Sequence, residues 1–122
     1  RAKQEGSDKV VLWGTGTPRR EFLHVDDLAS AILPMLENYD GDIPLNIGTG
    51  QDISIRELAE LIAGVVGFEG YLEFDETKPD GVPSKLLDVS RATVFEWNAS
   101  IDLKTGVDST VERYQEDLSV SK

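Results

Sequence analysis

Short runs of apolar residues punctuate this chain, and their period changes repeatedly along it. Val10, Val11, Leu12 and Trp13 form an apolar, partly β-branched run between turn residues, which predicts a strand over 9–13. Gly14, Gly16 and Pro18 then break the periodicity. Glu21 to Val25 predicts a second short extended piece. Leu28, Ala31, Ile32, Met35 and Leu36 recur at steps of three and four, so a helix is expected over 26–38. Asp26 or Asp27 can cap it, because either carboxylate can accept free N–H groups of the first turn. Pro34 lies inside that pattern, removes a donor and crowds the carbonyl of Ser30, which predicts a kink or an early stop.

The pattern shortens again at Ile43-Pro44-Leu45-Asn46-Ile47, a buried-strand candidate whose proline requires a strand start or an edge. Gly48 to Asp52 reads as a tight loop. Its two glycines lack the third glycine and flanks of a dinucleotide fingerprint, so an ordinary connection is favoured over a phosphate loop. Ser54 with Glu57 three residues on is a capping box. It opens a helix over 55–66 with Leu58, Leu61, Ile62 and Val65 on one face, and Gly67 stops it. Tyr71 to Phe74 alternates as a strand, and 75–84 is a long loop carrying Pro79, Asp80, Gly81 and Pro83. Lys85 to Val89 is briefly extended. Ser90 caps a short helix, Arg91 to Glu96, and Trp97 follows. Asp102 caps a last helix with Leu103, Val107, Val111, Tyr114 and Leu118 near one face. Residues 1–8 read as a truncated helix end or linker, 9–118 as one domain, and 119–122 as a frayed terminus. Short strands with about three to four helices give a small α/β domain, with too few strand–helix pairs for a complete doubly wound sheet.

Composition narrows the function. The 122 residues hold 23 acidic and 12 basic side chains, a net charge of −11. Such a balance argues against nucleic-acid and anionic-membrane surfaces as partners. An anionic small ligand then needs local positive charge, and Arg19, Arg20, Lys78, Lys85 and Arg91 are the residues available. Zero cysteine excludes disulfides and thiolate chemistry within the chain and fits a cytoplasmic location. No apolar run is long enough to span a bilayer. No set of carboxylates and histidine has convincing metal-ligand spacing, so no metal is expected.

Candidate chemistry gathers on 10–28. Arg19 and Arg20 offer planar donor forks suited to phosphate, and Trp13 offers a flat apolar face. From spacing alone, such residues are more often a core or edge Trp and two solvated arginines than a ligand site. His24, the only histidine, has the right ionisation range for proton transfer. It precedes a helix, however, and a structural bond to a nearby backbone group is the expected role.

These residues also carry a resemblance. Trp13-Gly-Thr-Gly-Thr-Pro-Arg-Arg-Glu-Phe-Leu-His-Val-Asp-Asp-Leu-Ala29, Asn46-Ile-Gly-Thr-Gly50, Ile55-Arg-Glu-Leu-Ala59 and Lys78-Pro-Asp-Gly-Val-Pro-Ser-Lys-Leu-Leu-Asp88 resemble, in order and over nearly the whole chain, the later part of the GDP-L-fucose synthase family. Those are NADPH-dependent epimerase/reductases of the extended short-chain dehydrogenase/reductase group. The resemblance implies the substrate-binding portion of such an enzyme, with an incomplete Rossmann domain. The parent would convert GDP-4-keto-6-deoxy-mannose to GDP-L-fucose, with this portion holding the sugar nucleotide and the other half carrying NADP and the Ser, Tyr and Lys of the hydride step. The portion alone is therefore expected to be inactive, with no catalytic residue of its own. It implies Trp13, Arg20 and Lys85 as contacts to a GDP-sugar, with Tyr71 standing where some members carry a substrate-contacting Arg, and a homodimeric parent. Another extended short-chain sugar-nucleotide epimerase or dehydratase, or a non-catalytic nucleotide-binding or association module, is the alternative.

Overall fold

A computed structural model describes residues 1–120. The elements run β1 (Lys9–Trp13), β2 (Arg19–Glu21), α1 (Val25–Asn38), β3 (Asp52–Ser54), α2 (Ile55–Val66), β4 (Tyr71–Asp75), β5 (Ser84–Lys85), α3 (Ser90–Thr93) and α4 (Leu103–Val120). This is the mixed α/β composition expected, with the strands divided between two small sheets. β1 and β4 pair in parallel, Lys9 opposite Tyr71 and Trp13 opposite Asp75. β2 is the centre of the other sheet, antiparallel to β3 and parallel to β5.

The glycine-rich loop after β1 joins the sheets to α2. Gly14 N–H donates to the Asp75 carbonyl at 2.9 Å, which extends the β1–β4 ladder by one bond. The carbonyls of Gly16 and Pro18 accept the Arg56 and Ile55 amides, each at 2.9 Å. Amides of a first helical turn have no partner inside their own helix, so the loop supplies them. Gly14 and Gly16 take φ of 82° and 76°. A side chain at Gly14 would overlap the Asp80 carboxylate, and one at Gly16 the Phe74 ring. Both positions therefore need glycine for backbone sign and for space.

α1 begins differently from expectation. Its cap is His24, whose Nδ1 accepts from the Asp26 amide at 3.2 Å. Neither Asp26 nor Asp27 is the cap. Asp27 instead turns inward, only 3% exposed. Its carboxylate accepts from Ser100 N at 3.0 Å, Ser100 Oγ at 2.9 Å and Ile101 N at 2.9 Å. Next to it, Trp97 Nε1 donates to Ser30 Oγ at 2.9 Å, and Ser30 Oγ donates to the Asp27 carbonyl at 2.7 Å. Asp27 and Trp97, with Ala31 and Ala92, are buried side chains of this region. Pro34 does not stop the helix early, since α1 continues to Asn38.

Ile43–Ile47 is not a strand. A strand requires a hydrogen-bonding neighbour, and among the described residues no strand lies beside this segment. The missing partner leaves Ile43 62% exposed. β3 forms instead from the last residue of the expected loop, Asp52, to Ser54, because β2 supplies it with a ladder. α2 has the expected reciprocal box: Ser54 Oγ accepts from Glu57 N at 3.1 Å and Glu57 Oε2 accepts from Ser54 N at 2.9 Å. Gly67 closes it in the left-handed region. α3 is shorter than expected, and Ser90 is its first residue rather than its cap. Asp88 accepts the Ser90 amide at 3.0 Å, and Glu96, at φ 57°, ends the following turns. Asp102 accepts the Thr105 amide at 3.1 Å, as a cap of α4 should. That helix includes Ser119 and Val120, which were expected to fray; residues 121–122 lie outside the described residues.

Residues 1–7 form hydrogen-bonded turns, with Lys3 Nζ donating to the Val66 carbonyl at 2.6 Å. They help enclose a cavity of about 800 Å³ with Leu58, Ile62, Leu72, Val111 and Tyr114. α2 and α4 thus meet across loosely filled apolar space.

Burial alone would raise the Asp27 carboxyl pKa, but the Ile101 and Ser100 amides outweigh it and hold the group below the ordinary carboxylate value. Glu21 is lowered likewise, its burial outweighed by the Leu87, Gly50 and Thr49 amides. A native pKa below the unfolded one means stability present above the unfolded value and lost as pH falls through the native one. Asp27→Asn is expected to cost about 2–4 kcal/mol at pH 7, since two buried amides lose a charged acceptor. Urea unfolding at pH 7 and again below pH 4 checks it: the gap between variant and parent should shrink in acid.

Candidate functional site

β2 decides where the two adjacent arginines go. Successive strand residues point to opposite faces, so Arg19 and Arg20 part company. Arg19 Nε donates to Asp52 Oδ1 at 2.8 Å and its Nη2 to the Asp52 carbonyl at 2.9 Å, while Nη1 stands 3.6 Å from Glu57. The bond to Asp52 raises the Arg19 pKa. Arg19 is thus a structural clamp between β2, β3 and α2. Arg20 has no ion pair among the described residues; its Nη1 donates to the Arg19 carbonyl at 2.7 Å. Lys85 is its register partner on β5 and is also unpaired among the described residues. Neighbouring strands lie about 4.8 Å apart, so two cations sit side by side in an acidic chain.

Glu21 fixes that arrangement. Its Oε1 accepts from the Thr49 amide and, at 2.8 Å, from the Gly50 amide. Its Oε2 accepts from the Leu87 amide at 2.9 Å. The loop before β3 and the chain after β5 are therefore bound to one side chain. The same contacts answer whether the Gly48–Gly50 loop can hold the phosphates of a dinucleotide. Its amides already serve a carboxylate, so the residues present do not fit such a group there.

Trp13 ends β1 with 73% of its surface exposed. The 75–83 loop connects it to the cation pair. Asp80 Oδ1 accepts from the Thr15 amide at 2.7 Å and Oδ2 from Thr15 Oγ1 at 2.8 Å. Next to it, Gly81 approaches the Arg20 Nη2. Lys78 places its Nζ 5.7 Å from the Trp13 ring centroid. Asp80, read from the sequence only as one residue of a long loop, thus has a long-range partner in Thr15. Arg56, also unforeseen, lies 3.8 Å over the Phe74 ring and donates to the Thr15 carbonyl at 2.9 Å, buttressing the loop from behind.

The structure brings Arg20 and Lys85 together and links Trp13 to them through one loop. It does not bring Tyr71 to them. Tyr71 begins β4, opposite Lys9, four residues and about 13 Å of strand from the Trp13 end. It lines a separate hollow with Lys3, Asp8 and Gly67 to Gly70. The cavities of about 350, 660 and 800 Å³ lie elsewhere, and none is lined by Trp13, Arg20 or Lys85. His24 caps α1 and meets Ser109 Oγ through Nε2 at 3.3 Å. Arg91 donates to the Tyr39 hydroxyl at 3.1 Å and belongs to the packing of the 39–47 segment. Among the described residues no group of three or more His, Asp and Glu side chains is placed to hold a metal, and no helix is long and apolar enough to cross a membrane.

Comparison with known proteins gives this geometry a context. The sequence model of the NAD dependent epimerase/dehydratase family matches residues 1–48. GDP-L-fucose synthase 1 of Arabidopsis thaliana is 52% identical over 113 residues, which is 93% of this chain and 35% of that protein. The crystal structure of a GDP-L-fucose synthetase from Naegleria fowleri bound to NADP superposes with a TM-score of 0.89 at 25% identity, over 97% of this chain and 37% of that one. A GDP-6-OMe-4-keto-L-xylo-heptose reductase from C. jejuni superposes with a TM-score of 0.82 at 37% identity, over 90% and 34%. The chain is thus homologous, along nearly its whole length, to about a third of these epimerases and reductases.

The division of labour between the arginines is measurable. Arg19→Ala should lower the melting temperature by a few degrees at low salt and by less at high salt, because its ion pairs are half exposed. Arg20→Ala should leave it unchanged. Thermal melts of both variants at two salt concentrations check this.

Proposed function

From that homology we propose that this chain is the sugar-nucleotide-binding part of an NADPH-dependent epimerase/reductase that converts GDP-4-keto-6-deoxy-mannose to GDP-L-fucose. The observation that carries the reading is the Arg20–Lys85 register pair, without an acidic partner among the described residues, together with the exposed ring of Trp13 at the end of β1. In a chain of net charge −11, cations with no acidic partner suit an anion from outside. Arg20 and Lys85 bind the diphosphate, and Trp13 offers its face to the base or sugar. Glu21 and Asp80 hold these elements in place, so the ligand meets a prearranged surface. Residues 9–118 act as one substrate-binding unit.

The chemistry belongs to the remaining two thirds of such a protein. NADPH, when bound, would supply hydride to the keto sugar and leave as NADP+, and in this reading its site lies outside this chain. This chain's task is to fix the sugar nucleotide in one pose, and alone it is inactive. The walls of the binding pocket come from that remainder. The exposed outer face of α1 supports its presence: Leu28, Ile32, Leu33 and Leu36 are 45, 55, 62 and 77% exposed. An apolar stripe of this kind marks an interface. The parent is a cytoplasmic homodimer in this reading.

Two measurements test the proposal. GDP should bind the chain more tightly than UDP, and Arg20→Ala should weaken GDP about tenfold or more, as loss of a charge-assisted contact does. Trp13→Ala should weaken it comparably through lost stacking. Equal binding of UDP would favour another sugar-nucleotide enzyme, and binding of neither nucleotide would count against the site. Separately, the isolated chain should self-associate or bind a hydrophobic dye through α1. Ile32→Glu with Leu36→Glu should abolish both, and a dye-silent monomeric parent chain in sedimentation would count against the interface.

A further inference from the structure

The cations of this chain fall into groups by what holds them. Arg1, Lys9, Arg19, Lys104 and Arg113 each stand within 4 Å of a carboxylate. Lys3 and Arg56 donate to backbone carbonyls, and Arg91 to Tyr39 and a carbonyl. Among the described residues, Arg20, Lys78 and Lys85 have no carboxylate partner. All three lie on β2, β5 or the loop that runs into β5.

Lys78 is positioned rather than dangling. Before it, Asp75 closes a turn: Oδ1 accepts from Thr77 N at 3.1 Å and Thr77 Oγ1 at 2.5 Å, and the Asp75 carbonyl accepts the Lys78 amide at 3.1 Å. After it, Asp80 grips Thr15 through two bonds. A short backbone segment fixed at both ends leaves Lys78 only its own side-chain torsions. Its Nζ rests 5.7 Å from the Trp13 ring centroid. A cation over an exposed ring is weakly held, whereas a cation on phosphate makes a charge-assisted hydrogen bond that is stronger. Exchanging one for the other is therefore favourable.

We propose that Lys78 is the third cation of a diphosphate-binding site formed with Arg20 and Lys85, its ammonium moving from the edge of Trp13 to a phosphate oxygen. The proposal rests on the reading of Trp13, Arg20 and Lys85 as a nucleotide site, and it adds a residue with a distinct role. Lys78 couples the two halves of the ligand, because it shares the ring that receives the base and reaches the charge that follows it.

Inorganic pyrophosphate and GDP, each titrated calorimetrically into the whole chain, provide the test. Lys78→Gln should weaken both about tenfold, and Lys78→Arg should restore most of the affinity. Lys104→Gln removes the same charge from an ion pair with Asp108 on α4 and should leave both unchanged. Equal affinities for Lys78→Gln and Lys104→Gln would overturn the proposal, and so would failure of the parent chain to bind pyrophosphate. The nucleotide reading fails in a different way. GDP bound no more tightly than pyrophosphate, with Lys78→Gln still weakening both, would keep the three-cation site and remove the nucleoside.

Discussion

The Glu21 carboxylate is the constraint on which the rest of the site depends. β2 has three residues and β5 two, and ladders that short do not hold their own register. Glu21 does so by accepting from the 49–50 amides on one side and the Leu87 amide on the other. The segments flanking β3 and β5 are thereby tied to the residue that follows Arg20. Lys85 stands beside Arg20 because Leu87 is bound to Glu21. A neutral side chain at 21 would leave three amides competing for water, and the cation pair would lose its spacing before it lost its charges.

The same device recurs where apolar packing is thin. No large side chain in the described residues is fully buried. Asp27 holds the 100–101 turn against α1, and Asp80 holds the 75–83 loop against the glycine-rich turn. Three carboxylates aimed at backbone amides thus do the joining that a larger domain assigns to its core. This explains how 23 acidic residues are compatible with a folded chain: the ones that matter accept hydrogen bonds from amides, which carry no counter-charge. It also explains why the apolar stripe of α1 is left facing outward, since the inner side of that helix is occupied by Asp27, Ser30 and Ala31.

What the sequence made legible was local. The capping box at Ser54–Glu57, the Gly67 stop and the Asp102 cap depend on neighbours a few residues away, and all appear; the strands at 9–13 and 71–74 appear as well, because each is the other's ladder partner. What it hid was pairing at a distance. Ile43–Ile47 has a strand's pattern without a strand's partner, while Asp52–Ser54 has little pattern but lies beside β2. Asp27 looked like a cap because its amide-accepting partners, 73 and 74 positions away, leave no local trace. His24 took the cap instead, its Nδ1 accepting from the Asp26 amide.

The candidate site divides along the same line. Trp13 and Arg20 are seven positions apart within one block and could be read together, and Lys85 joins them by parallel register with Arg20. Tyr71 shared only an alignment with substrate-side residues, and β1–β4 pairing carries it to the opposite end of the sheet. Strand alternation supplies the last distinction. Arg19 and Arg20 are chemically identical neighbours, yet one face of β2 presents Asp52 and Glu57 and the other presents Lys85. The acid needed to neutralise Arg20 exists one residue away and on the wrong side of the strand. Strand alternation therefore leaves the positive charge of Arg20 without an acidic partner among the described residues.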